Sequence, residues 1–151
     1  MGTTNFTTTI SVDQSPKEVY EAVIAPEKWW SGDFQGKTKE LGDEFTYRYK
    51  DIHYSKQEVT ELIPDKKVIW LVTESQLNFL EDKTEWTGTK IIFEITRIGD
   101  KTQLTFTHDG IHPGVECYSA CSTAWGQLIS QSLFSLITTG STVKPVLDEN
   151  V

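Results

Sequence analysis

Residues 6–12 alternate with period two and are rich in β-branched side chains, which predicts a β-strand. Ser15-Pro16-Lys17-Glu18 follows. Serine at the N-cap, proline at the first helical position and glutamate at the third form a capping box. The helix it opens carries Val19, Tyr20, Val23 and Ile24 on one face and is broken by Pro26. Pro26-Glu27-Lys28-Trp29-Trp30 starts a second short helix, closed by Ser31-Gly32-Asp33. Successive helical residues diverge by about 100°, so only one of Trp29 and Trp30 is expected to face inward.

A series of strand patterns comes next. Glu44 to Tyr49 alternates, with Phe45, Tyr47 and Tyr49 on one face. Residues 53–62 form a more polar strand, closed by Ile63-Pro64-Asp65. Residues 67–73 are apolar on both faces, as a central strand is, and 77–86 are charged and aromatic and read as a loop. Residues 89–98 place Ile91, Phe93 and Ile95 on one face, and Gly99-Asp100 is a hairpin signal. Residues 102–107 form a last strand, with Leu104 and Phe106 inward and His108 next in that phase.

Residues 116–139 read as one long helix. Cys121, Trp125, Leu128, Ser132 and Leu136 recur at spacings of four, three, four and four, with Ile129 and Leu133 beside them. Thr138-Thr139-Gly140 is a stop signal, and 141–151 read as a tail. Hairpin-linked strands with helices segregated at the ends indicate an α+β fold: a curved antiparallel sheet of six or seven strands wrapped around the long C-terminal helix, with two short helices after the first strand. At 1.5 Å per residue the long helix spans roughly 35 Å, enough to cross the sheet.

Composition narrows the function. The 151 residues are one ordinary domain, with a core over about 6–140. A net charge of −8 repels phosphate backbones and anionic lipid, so neither nucleic acid nor a membrane is expected as partner. No apolar run reaches the ~18 residues of a transmembrane helix. The start has neither a basic region nor an apolar core, and Phe6 stands where a myristoylation motif wants Ser or Thr, so a cytoplasmic protein is expected. Cys117 and Cys121, four apart in a helical pattern, read as reduced thiols. GxGxxG, P-loop, HExxH, GxSxG and Cys/His metal spacings are all absent, so no cofactor and no metal are expected.

Five Trp, five Tyr and seven Phe stand against a single Met. Phe45, Tyr47, Tyr49, Trp70, Phe93, Phe106 and Trp125 fall on faces that point between sheet and long helix. They are core, or the wall of a pocket in which tyrosine hydroxyls find a partner. Of Trp29 and Trp30, one is expected in the core and the other at the pocket mouth or on an interaction surface; Trp30 and, on the helix stripe, Ile129 complete the candidate binding set. His108 faces the same space, as a satisfied core histidine, a ligand contact or a general base. Glu61 shares phase with Val59 and Ile63 and is either an inward carboxylate, with Arg48 or Arg97 as partner, or a surface group. His53 and His112 are expected in solvated loops.

The succession of strand, paired helices with Trp29-Trp30, strand meander, Leu104-Thr105-Phe106-Thr107-His108-Asp109-Gly110, and a helix carrying Cys121, Trp125, Leu128 and Leu133 before Thr139-Gly140 resembles a known family. Over about 6–140 it is similar to the SRPBCC superfamily, the helix-grip fold of the birch-pollen allergen and START lipid-transfer domains. Within it, the chain most resembles the group related to the C-terminal domain of the activator of heat-shock-protein-90 ATPase. The resemblance implies a seven-stranded sheet gripping the last helix across a hydrophobic cavity, with the seventh strand either near 35–41 or absorbed in the long loop. It leaves three functions open: a binding protein for a small hydrophobic or aromatic molecule, a chaperone-interacting protein, and a cyclase- or hydrolase-like enzyme using the cavity. Either a monomer or a homodimer is compatible with it.

Overall fold

The computed structural model describes residues 6–30, 32–49, 53–77, 84, 86–111 and 118–140. Seven strands form one antiparallel sheet: β1 (Phe6–Val12), β2 (Asp33–Gly36), β3 (Glu44–Tyr49), β4 (His53–Ile63), β5 (Lys67–Leu77), β6 (Lys90–Ile98) and β7 (Lys101–Asp109). Their order across the sheet is β1-β7-β6-β5-β4-β3-β2. The fold is therefore α+β, a sheet gripping a C-terminal helix. Five of the six pairings join sequence neighbours, and β1 closes onto β7 with Ile10 opposite Leu104. The seventh strand, β2, begins slightly before the stretch expected from sequence and pairs only with β3.

Helix α1 (Pro16–Val23) starts as its sequence dictates. The Ser15 hydroxyl accepts from the Glu18 N–H at 3.2 Å, and Val19 and Val23 are buried. A 3₁₀ turn (Pro26–Lys28) follows and ends before the tryptophan pair. Trp29 leaves the helical region at φ −126°, so the 100° divergence of a continuing helix does not apply. Both tryptophans are buried, their rings stacked at 6.0 Å and 11°. The expectation that one of them would face out is corrected by that early helix end. The Trp29 indole donates to the Ala22 carbonyl at 3.0 Å, satisfying its polar edge.

Two irregularities in the β4–β5 pair re-aim side chains. One lies beside Lys56 and Gln57, where Thr73 of β5 has no partner in the register. It moves the inward phase of β5 from Val68, Trp70 and Val72 to Ser75 and Leu77, all buried. The other lies between Val59 and Glu61. Beyond it Leu62 packs on the core, while Ile63 is exposed. Glu61 is thereby turned from the inward phase to an ion pair with Lys67 at 3.6 Å on the half-exposed face. Arg48 lies 5.0 Å over the Tyr54 ring and Arg97 donates to the Gly99 carbonyl. No buried carboxylate forms on β4.

The C-terminal helix runs through 118–139 as α2 (Tyr118–Gln127), a π-helical stretch (Leu128–Leu133) and α3 (Phe134–Thr139). Trp125, Leu128, Ile129, Ser132, Leu133 and Ile137 are its buried face. The Ser132 hydroxyl donates to the Trp29 carbonyl, clasping the π stretch to the turn that carries the tryptophan pair. His112, Cys117, the side chain of Cys121, most of 77–86 and the tail 141–151 lie outside the described residues. Among the described residues no helix is long and apolar enough to cross a membrane, and no group of three His, Cys, Asp or Glu is placed to hold a metal.

Candidate ligand-binding site

Alternation sends one side chain in two from each strand to the concave face, where the long helix covers it. The result is a continuous lattice of rings. Trp30 stacks on Tyr47 at 4.3 Å and leans on Trp125 at 4.9 Å. Trp125 meets Phe106 at 4.5 Å, Phe106 meets Phe93 at 5.2 Å, and Phe93 meets Trp70 at 5.0 Å. Phe45 lies edge-on to Trp70 at 5.2 Å, and Phe34 closes the circuit between Phe45, at 6.1 Å, and Tyr47, at 5.0 Å. These spacings are the offset and edge-to-face geometries that aromatic quadrupoles favour. Trp30, Phe45, Tyr47, Tyr49, Trp70, Phe93, Phe106, His108, Trp125 and Ile129 are all buried, with Tyr49 at the margin.

His108 sits at one end of this lattice with both ring nitrogens engaged. The Trp125 indole N–H, which can only donate, lies 3.0 Å from Nδ1. Nδ1 is therefore the acceptor and Nε2 carries the proton of a neutral ring. Nε2 lies 2.9 Å from the Thr89 hydroxyl, which in turn donates to the Trp86 carbonyl at 2.6 Å. Each donor in the Trp125–His108–Thr89–Trp86 relay has one acceptor. Burial first, and the neighbouring His53 second, push the His108 pKa down to about 3. Both ring nitrogens are thus taken up within the fold, and no lone pair is left free to take a proton.

His53 corrects the loop expectation. It is the first residue of β4, half-buried, with its ring 4.5 Å from Trp86 and 4.9 Å from Tyr47. Its packing against those rings lowers its pKa. Trp86 itself stacks on Trp125 at 5.9 Å and stands between the two imidazoles. A loop reading of 77–86 gave no reason to place a buried ring there. The signal was its own apolar area, since a tryptophan in a charged stretch is costly to leave in water.

A polar strip runs through the apolar face. Ser55, Gln57 and Ser75 are buried on β4 and β5. Gln57 donates from Nε2 to Ser55 Oγ at 3.1 Å, and Ser75 Oγ pairs with Thr87 Oγ1 at 2.9 Å. Three buried atoms beside the strip find no hydrogen-bond partner among the described residues: Gln57 Oε1, Trp70 Nε1 and Tyr47 Oη. Desolvation, the first cause, and the charge of Tyr49 raise the Tyr47 pKa well above its usual value; the adjoining Trp30 indole opposes this without a hydrogen bond of good geometry. Nothing in the alternation singled out Ser55, Gln57 or Thr89, because polar residues on a strand read as its solvent face. An open cleft of about 450 Å³ lies beside β2, with Phe34 and Phe45 in its wall. A second cleft, of about 590 Å³, lies between the start of α1 and the β4–β5 turn, away from the lattice.

Known proteins share this architecture. The solution structure of the Aha1 dimer from Colwellia psychrerythraea is 28% identical, with a TM-score of 0.73 over 91% of this chain and 98% of that one. Protein SSP2350 from Staphylococcus saprophyticus is 17% identical, with a TM-score of 0.69 over 95% of this chain and 99% of that one. DynU16, from the dynemicin biosynthetic locus, is 18% identical, with a TM-score of 0.64 over 90% of this chain and 48% of that one. At those two lower identities the likeness is one of fold. No curated protein matches the chain. Residues 13–137 match the family described as Activator of Hsp90 ATPase homolog 1-like protein, and with most of its length so covered the chain belongs to that family, within the SRPBCC fold.

Proposed function

We propose that the chain is a binding module that holds a small hydrophobic or aromatic molecule between the concave sheet face and the C-terminal helix. The observation that carries this reading is the trio of buried, unpartnered polar atoms on Tyr47, Gln57 and Trp70 inside an aromatic lattice. Each unpaired buried polar group costs about 1–3 kcal/mol, and a purely structural core has no use for three of them on one face. The ten buried residues named above are the proposed contact set. Native mass spectrometry of the protein purified from cells, followed by thermal-shift screening with hydrophobic metabolites, tests this. A co-purifying small-molecule mass, or a melting temperature that rises with ligand concentration, is expected, because a ligand that binds only the folded state stabilises it by mass action. A bare protein with an unmoved melting temperature across the screen overturns it.

The family match favours a second reading, docking on the Hsp90 chaperone. Its test is the ATPase rate of purified Hsp90 with and without the chain, and an unchanged rate removes it. The 28% identical relative is an Aha1 dimer, which supports a homodimer here too. Light scattering at micromolar concentration decides between that and a monomer.

A further inference from the structure

The unpartnered atoms also say which molecule fits. Resting on the binding reading above, we propose that the site selects an uncharged aromatic molecule bearing a hydroxyl group, over both its acid and its hydroxyl-free analogues. The polar groups buried among the described residues are Thr38, Ser55, Gln57, Ser75, Thr89, Thr102, His108 and Ser132, with no Asp, Glu, Lys or Arg. His108 is held neutral by its fixed network. A carboxylate or ammonium ligand would therefore lose its water with no counter-charge to replace it, which costs several kcal/mol per ion.

The orphan atoms are of opposite polarity. Trp70 Nε1 can only donate, Gln57 Oε1 accepts, and the Tyr47 hydroxyl does either. A hydroxyl both donates and accepts, so one hydroxyl complements Gln57 Oε1 and Trp70 Nε1 together, whereas an ether or a hydrocarbon leaves at least one of them unpaired. Sheet register brings Gln57 and Trp70 together. Gln57 stands opposite Val72 on β5, and Trp70 stands opposite Val59. They are thus diagonal neighbours on one face of adjoining strands, within reach of long side chains. Tyr47 stands opposite Ser55, on the other side of Gln57. Phe45, in contact with Trp70, also lines the open cleft beside β2.

Calorimetric titration of the whole chain with naphthol, its methyl ether, naphthalene and naphthoate tests this. Naphthol is expected to bind about tenfold tighter than the ether or the hydrocarbon, the value of one hydrogen bond to a group otherwise buried unpaired. Naphthoate is expected to bind weakest. Gln57→Leu and Trp70→Phe should each shrink the naphthol-to-ether ratio, whatever either does to the affinity for naphthalene. Equal affinities for naphthol and its ether, or naphthoate binding as tightly as naphthol, overturn the selectivity while leaving the binding reading intact. If none of the four binds, the binding reading falls and the selectivity with it. The four-ligand comparison on the unaltered chain decides the matter even where a variant does not fold.

Discussion

At the scale of single residues the informative group is His108. Its alternation phase was legible, as the next inward position after Leu104 and Phe106. Its partners were not, because Trp125 and Thr89 come from a helix and a strand end that no local pattern links to it. The network makes a signed prediction. In an unfolded chain the imidazole titrates near 6.5; in the fold it is held to about 3. Between those values the unfolded state carries a proton that the folded state lacks, so stability rises with pH through this window. The contribution is complete above about pH 6.5 and is lost as pH falls toward 3, at up to about 1.4 kcal/mol per pH unit. Urea unfolding from pH 5 to 7, above the range of most carboxylates, should show this slope, and His108→Gln should reduce it by about one proton. Thr89→Val removes the link between Nε2–H and the Trp86 carbonyl. It should lower the unfolding free energy by about 2 kcal/mol at pH 7. A loss near zero would show that the relay is geometrically present and energetically idle.

Among the elements, periodicity identified what was regular. The capping box at Ser15, the clean alternation of β3, β6 and β7, and the stripe of the long helix all follow from local rules. What escaped was irregular. β2 has four residues and one partner strand, too few for a pattern to stand out. The irregularities beside Thr73 and after Val59 change phase by one residue, which turns Ser75 inward and Glu61 outward, and a period-two reading cannot foresee them. Gly32, between the tryptophan pair and β2, tests how tightly such junctions are fixed. Its φ of 123° is a left-handed conformation, and a Cβ there would stand 2.5 Å from Tyr47 Cε1 and 2.8 Å from the Arg48 carbonyl oxygen. Gly32→Ala should cost about 2–4 kcal/mol, strain and clash together. Gly42, also left-handed but with open space around its added Cβ, isolates the strain. Gly42→Ala should cost about 1–2 kcal/mol in the same urea titration. Equal losses would mean that the Tyr47 ring yields freely.

For the molecule as a whole, the rings that would touch an occupant are closed off from water, so binding is coupled to opening. Trp30, Tyr47, Trp70 and Trp125 cannot be reached while the helix lies on the sheet and the tryptophan turn lies against both. The observed association rate is then the encounter rate multiplied by the open fraction. The Ser132–Trp29 bond is the clasp that this picture makes decisive, since it ties the π stretch of the helix to the turn. Ser132→Ala deletes the donor and leaves the Trp29 carbonyl unpaired, shifting the closed-to-open balance by about 1–2 kcal/mol. That amounts to roughly a five- to thirtyfold larger open fraction. Stopped-flow mixing with naphthol, followed by the fluorescence of the five tryptophans, should therefore show association accelerated by about that factor. The ring contacts themselves are untouched by the substitution, so ligand selectivity should not change. A rate that stays the same in Ser132→Ala while the melting temperature falls would place the point of opening elsewhere in the fold, at the cleft beside β2.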